Sequence, residues 1–161
     1  METSIGVGLG EIAVSQNRDQ ILVAFGLGSC VGIGAYDPKK GIAGLLHAVL
    51  PEPLNSTDSE STKYVKNGIY KLMDQMIEMG AAEERLIIRM AGGANMLTSP
   101  GLSKTFDIGT RNIAVAEKVL QEKKLKVVSQ SVGGNTGRTF RVYVSDGKMT
   151  IRMIGEKETV F

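Results

Sequence analysis

The sequence has one cysteine, one histidine and no tryptophan among its 161 residues. A single cysteine excludes an intrachain disulfide framework and points to a reducing compartment. With one residue of each kind, a four-ligand structural zinc site built from Cys and His is impossible, so no metal centre is expected. Four phenylalanines, four tyrosines and a net charge of +2 supply neither the stacking surface nor the basic patch that nucleic acid requires. No apolar run approaches the roughly 20 residues of a membrane span. The opening Met1-Glu2-Thr3-Ser4 is not the basic start of a secretory signal. The expectation is a cytoplasmic protein with no nucleic-acid partner and no direct membrane insertion. The phosphate-loop pattern is missing too, and Gly6-Val7-Gly8-Leu9-Gly10 and Gly26-Leu27-Gly28 both stop short of G-x-G-x-x-G.

What is present is an ordinary globular balance, 42% hydrophobic and 22% charged, with 20 glycines. One domain over residues 1–161 is expected. Short apolar runs punctuated by glycine read as strands: Ile12 to Val14, Ile21 to Phe25, Val31 to Tyr36, Ile42 to Leu50, Arg85 to Ala91, Leu125 to Ser131, Thr139 to Ser145 and Lys148 to Ile154. A long loop is expected through Pro51, Pro53 and the polar stretch from Asn55 to Thr62. Helical spacing of Val65, Ile69, Leu72, Met73, Met76 and Ile77 on one face predicts a helix over 61–79, stopped by Gly80. A second is predicted over 110–124, with Thr110 as N-cap. The fold class that follows is α+β: a layered sandwich of mainly antiparallel, largely hairpin-connected sheet with two principal outer helices.

The lone cysteine and the lone histidine lie seventeen positions apart on two strands expected to pair. If the hairpin closes between Tyr36 and Gly41 around Asp37-Pro38-Lys39-Lys40, paired residue numbers sum to 77 and Cys30 stands directly opposite His47. Pairing with an imidazolium would pull the thiol from about 8.5 to about 3–4. His47 could then store the thiol proton and return it to a leaving group. Gly28 and Ser29, in the turn before the cysteine, could offer oxyanion donors or orient the imidazole. The small residues sharing that face, Gly32, Gly34 and Ala43 among them, predict a shallow floor for a substrate side chain. The plainer alternative is that Cys30 is packing and His47 a satisfied core histidine. Gly92, Gly93 and Asn95 are candidate substrate-binding residues, although bare glycine turns of this kind more often serve a structural role.

Several blocks of the sequence, in order, resemble the CheD family of chemoreceptor glutamine deamidases. They are Gly26-Leu27-Gly28-Ser29-Cys30-Val31, Tyr36-Asp37-Pro38, His47 with Leu50-Pro51, Ala91-Gly92-Gly93-Ala94-Asn95-Met96, Ile108-Gly109-Thr110-Arg111-Asn112 and Gly133-Gly134-Asn135-Thr136-Gly137-Arg138. The resemblance implies a fold related to the catalytic domain of cytotoxic necrotising factor toxins. It implies hydrolysis of glutamine side chains in methyl-accepting chemotaxis receptors, with Cys30 as nucleophile, His47 as base and acid, and no cofactor. It further implies binding to CheC, a phosphatase of CheY, and residence at chemoreceptor arrays. The family often has a threonine six residues before the cysteine as a third member of the triad, and Ala24 stands there. That departure implies either another group orienting His47 or a catalytically weak receptor- and CheC-binding module.

Overall fold

A computed structural model describes residues 1–53, 60–96 and 107–161. It is an α+β sandwich of two five-stranded mixed sheets and two helices. The strands are β1 (Thr3–Gly6), β2 (Ile12–Ser15), β3 (Gln20–Leu27), β4 (Val31–Asp37), β5 (Ile42–Ala48), β6 (Ile87–Gly92), β7 (Val127–Val132), β8 (Arg138–Tyr143), β9 (Met149–Met153) and β10 (Thr159–Val160). The helices are α1 (Val65–Met79) and α2 (Ile108–Glu122). One sheet has the order β1-β3-β8-β9-β10 and the other β2-β5-β4-β6-β7. Within them β1 runs parallel to β3 and β6 parallel to β7, and the remaining described pairs are antiparallel.

The second sheet is the middle layer, and its sequence shows why. Every residue of β4 and β5 is buried, as expected for strands covered on both faces. Alternate residues serve different neighbours. Val31, Ile33 and Ala35 join Ile42, Leu46, Ala48 and the apolar stripes of α1 and α2 in one core. Tyr36, Ala43 and Leu45 join Leu22, Leu27, Phe140, Val142 and Met149 in a second core between the sheets.

Four expectations from the sequence are corrected here. The hairpin closes one residue later on each side, Asp37 opposite Ile42 and Tyr36 opposite Ala43, so paired numbers sum to 79. Gly41 takes a left-handed conformation at φ +68° and belongs to the loop, while the Asp37 carboxylate accepts the Lys39 and Lys40 amides. The glycines of β4 form no open floor: a Cβ at Gly32 would lie 2.9 Å from Phe140, and one at Gly34 would lie 2.8 Å from both Phe140 and Met149. Their missing side chains let the sheets close together. Neighbouring strands are less often hairpins than expected, since β2 and β3, like β7 and β8, belong to different sheets. Lastly, α2 starts at Ile108 with Asp107 in the N-cap position, leaving Thr110 inside the helix. The expected loop from Asn55 to Thr62 lies outside the described residues over 55–59.

Candidate active site

His47 sits near the end of β5, held from three directions. Its backbone N–H donates to Glu11 O at 3.0 Å, and its carbonyl accepts the Gly10 N–H at 2.8 Å. Its ring Nδ1 lies 2.9 Å from Val7 O. A carbonyl oxygen can only accept, so Nδ1 carries a proton, and the neutral tautomer with this bond has its lone pair at Nε2. Nε2 is buried with no hydrogen-bond partner among the described residues. Val7 is itself fixed, its amide donating to Val23 O at 2.7 Å. A backbone carbonyl therefore orients the imidazole, whereas Ala24 is buried in the inter-sheet core and has only a methyl group to offer. Ser29, considered from sequence as an orienting group, makes no bond to His47 among the described contacts.

His47 also borders a cavity of about 430 Å³ lined by Val7, Leu9, Glu11 and Phe25, a lining that does not include Cys30. Leu9 and Phe25 are exposed. Phe25 is turned outward where the pairing of β3 with β8 shifts register between Ala24 and Leu27. A larger groove of about 700 Å³, bordered by Ile12, Gln20 and Met79, lies away from both Cys30 and His47.

Cys30 immediately precedes β4 and is half-buried against the inter-sheet core. The observed register puts Gly32, two residues on, opposite His47. Cys30 is therefore a diagonal neighbour of His47, at about 7–8 Å between backbone positions, and not its direct partner. Because the register error was two, an even number, both residues keep to the same side of the sheet. No hydrogen bond joins the sulfur to Nε2. Burial pushes the Cys30 thiol up, and its own backbone N–H, facing the sulfur, opposes that rise more weakly. The strongly lowered thiol expected from an imidazolium contact is thus not found. That direction favours the protonated thiol.

The loop that carries Cys30 is held carbonyl by carbonyl. Gly28 O accepts from Ala94 N–H at 2.8 Å, Ser29 O from Asn112 Nδ2 at 2.8 Å, and Cys30 O from Gly93 N–H at 2.8 Å. Gly92 and Gly93 thus buttress the Cys30 backbone and do not border the His47 cavity. Gly92, at φ +105°, admits the Cys30 carbonyl where a Cβ would overlap it. Asn95 donates through its backbone to Gly134 O at 2.9 Å and through Nδ2 to Thr110 at 2.8 Å, leaving Oδ1 buried without a partner among the described residues. Arg138, buried under the glycine turn, donates to Ser131, Gly133 and Thr136 carbonyls. Val7 and Asn112 were not recognised from sequence as site residues. Val7 acts through its backbone and carries no side-chain signal, while Asn112 closed a recognised block without a stated role.

A family model described as CheD chemotactic sensory transduction matches residues 49–153, more than half of the chain. The chain belongs to the CheD family. Similar proteins named probable chemoreceptor glutamine deamidase CheD come from Symbiobacterium thermophilum, 36% identical over 94% of this chain and 93% of that one, and Caldanaerobacter subterraneus subsp. tengcongensis, 40% identical over 96% of each. A CheD relative from Thermococcus kodakarensis is 35% identical over 97% of this chain and 96% of its own. The family-model match begins at Val49, just past both Cys30 and His47, so it carries no weight for either residue. Among solved structures, the hypothetical protein YfiH of Bacillus licheniformis shares the fold, with a TM-score of 0.53 at 13% identity. The similarity covers 77% of this CheD-family chain, which spans about half of the YfiH chain (51%). No described helix is long and apolar enough to cross a membrane.

Proposed function

We propose that this protein is a cysteine-dependent protein-glutamine deamidase acting in the cytoplasm on the glutamine side chains of methyl-accepting chemotaxis receptors. The observation that carries the reading is the unpartnered Nε2 of His47, left as the free ring nitrogen by the Nδ1–H bond to Val7 O, on the side of the sheet that also carries Cys30. A buried imidazole nitrogen without a partner costs stability, and a proton-accepting role accounts for it.

In the proposed reaction Nε2 takes the Cys30 proton as the sulfur attacks the carboxamide carbon. The carbonyl π bond opens to an oxyanion, for which the Cys30 N–H is the proposed donor. Collapse breaks the C–N bond. His47 gives its proton to the departing nitrogen, and ammonia leaves a thioester. Water then loses a proton to Nε2 and attacks the same carbon, the C–S bond breaks, and glutamate and the thiol are restored. The exposed Leu9 and Phe25 at the cavity mouth suit a macromolecular substrate better than a free amide.

The test is incubation with a receptor cytoplasmic region and mass spectrometry of its glutamines. Wild type converts glutamine to glutamate with a gain of one mass unit per site, while Cys30→Ala and His47→Ala leave the spectrum unchanged. Identical spectra from wild type and Cys30→Ala end the enzymatic reading. Ala24 and the raised thiol favour a second reading, a receptor- and CheC-binding module with weak or no turnover. That reading requires CheC stimulation that survives Cys30→Ala together with no detectable deamidation by wild type. Binding to CheC and residence at receptor arrays belong to both readings.

A further inference from the structure

Asn112 leaves α2 to bond two backbone carbonyls that belong to neither helix. Its Nδ2 donates to Ser29 O at 2.8 Å and to Val49 O at 2.9 Å, and the side chain is completely buried. Rotating the amide would set Oδ1 against two carbonyl oxygens, so the assignment of its atoms is fixed by its partners. Ser29 O belongs to the peptide unit that carries the Cys30 N–H. Val49 lies two residues beyond His47. One amino group therefore joins the segment bearing the nucleophile to the segment bearing the base.

The consequence follows from peptide planarity. The carbonyl and N–H of one peptide unit point in opposite directions, so pinning Ser29 O fixes the direction of the Cys30 N–H, the group that faces the sulfur. Of the three consecutive carbonyls that hold this loop, those of Gly28 and Cys30 are bonded by backbone amides, and that of Ser29 by a side chain. The arrangement also leaves Asn112 Oδ1 buried and unpartnered among the described residues. A group serving helix docking alone would not need to leave a carbonyl in that state.

We propose that Asn112 is a positioning residue, which sets the Cys30 N–H toward the sulfur and fixes the Cys30 loop relative to the His47 strand. The proposal rests on the Cys30–His47 reading, and its experiment separates the two. Alkylation of Cys30 by iodoacetamide is followed across neutral and alkaline pH in wild type, His47→Ala, Asn112→Ala, Asn112→Ser and Leu120→Ala, each below its melting temperature. Leu120 is buried on the same helix, facing the helix–sheet core, and reports simple destabilisation. Exchange of the Gly93 and Ala94 amides, which bond the same loop, is measured alongside.

The expected result is a neutral-pH alkylation rate that falls about 10- to 100-fold in Asn112→Ala, approaching His47→Ala. Asn112→Ser, with one donor, lies between, and Leu120→Ala keeps the wild-type profile. The Gly93 and Ala94 amides exchange faster in Asn112→Ala than in Leu120→Ala. A wild-type profile in Asn112→Ala, or in Asn112→Ser where the alanine variant does not fold, overturns the proposal; so does an equal change in Leu120→Ala. If wild type and His47→Ala react alike, the Cys30–His47 reading fails by itself, and amide exchange alone then decides for or against the clamp.

Discussion

Replacing Gly92 by alanine tests whether the loop behind Cys30 governs the proposed catalysis. Gly92 pairs with Val31 at the end of β6 and has φ +105°. Its added Cβ would overlap Cys30 O and lie 3.2 Å from Cys30 C and 3.3 Å from Val31 Cα. None of these is the tip of a flexible side chain, so the backbone must move. Two effects then act together. The left-handed conformation itself costs a side-chain-bearing residue about 1–2 kcal/mol, equivalent to a melting temperature lower by about 2–8 °C in a chain of this size. Relief of the overlap moves the Cys30 backbone by about 1 Å, a displacement that lowers turnover by about 100-fold. Gly41 separates the two, since it has φ +68° with nothing within 4 Å of an added Cβ. Gly41→Ala should lose comparable thermal stability and keep its turnover. Calorimetry gives the first quantity and mass-spectrometric deamidation rates the second. Wild-type turnover in Gly92→Ala, or equal loss of turnover in Gly41→Ala, refutes the reasoning.

Other outcomes follow from the same geometry. Gly34→Ala forces Met149 and Phe140 apart and should destabilise by about 1–3 kcal/mol, read by urea denaturation, with Cys30 alkylation unchanged below the melting point. Asp37 is fully buried and held by both arms of Arg85, at 3.0 and 2.7 Å, and by the Ala82 amide at 3.0 Å. The Arg85 guanidinium is the main reason its carboxyl sits well below the usual range. A depressed folded-state pKa gives stability that is present above the unfolded value of about 3.9 and lost as pH falls from there toward the folded value. Arg85→Gln should therefore lower stability at neutral pH and move the acid-unfolding midpoint upward, as followed by circular dichroism. Nitrogen NMR of the neutral His47 ring should show Nδ1 protonated and Nε2 bare; the opposite tautomer removes the base from the proposed reaction.

The elements with strong periodicity were legible in the sequence. The α1 stripe from Val65 to Met76 is buried as its spacing implies, whereas Ile77, expected on the same face, is exposed near the helix end, and β4 through β6 lie where apolar runs placed them. Partition between sheets was not legible. Ile12–Ser15 and Gln20–Leu27 are separated by a short turn, yet one pairs with β5 and the other with β1 and β8. Such choices depend on partners far along the chain. The strands β1 and β10 escaped notice because Thr3-Ser4-Ile5-Gly6 and Thr159-Val160 are short and carry little alternation. At the candidate site, residue type and face could be read, because an even register error conserves parity. Separation could not, since it turned on which residue of the Asp37–Gly41 loop takes a left-handed turn. The glycines of β4 show the limit most directly: absent side chains look alike whether they make room for a ligand or for Phe140.

His47 and Cys30 are secured to unequal foundations. His47 belongs to a strand buried along its whole length, and three backbone atoms hold it in place. Cys30 stands one residue outside the sheet, at the end of a connection kept in shape by separate bonds from Ala94, Asn112 and Gly93. Warming or mild urea will therefore loosen the sulfur's mooring while the imidazole stays anchored. Turnover should fade at temperatures where the circular dichroism of the intact sandwich has not yet begun to change.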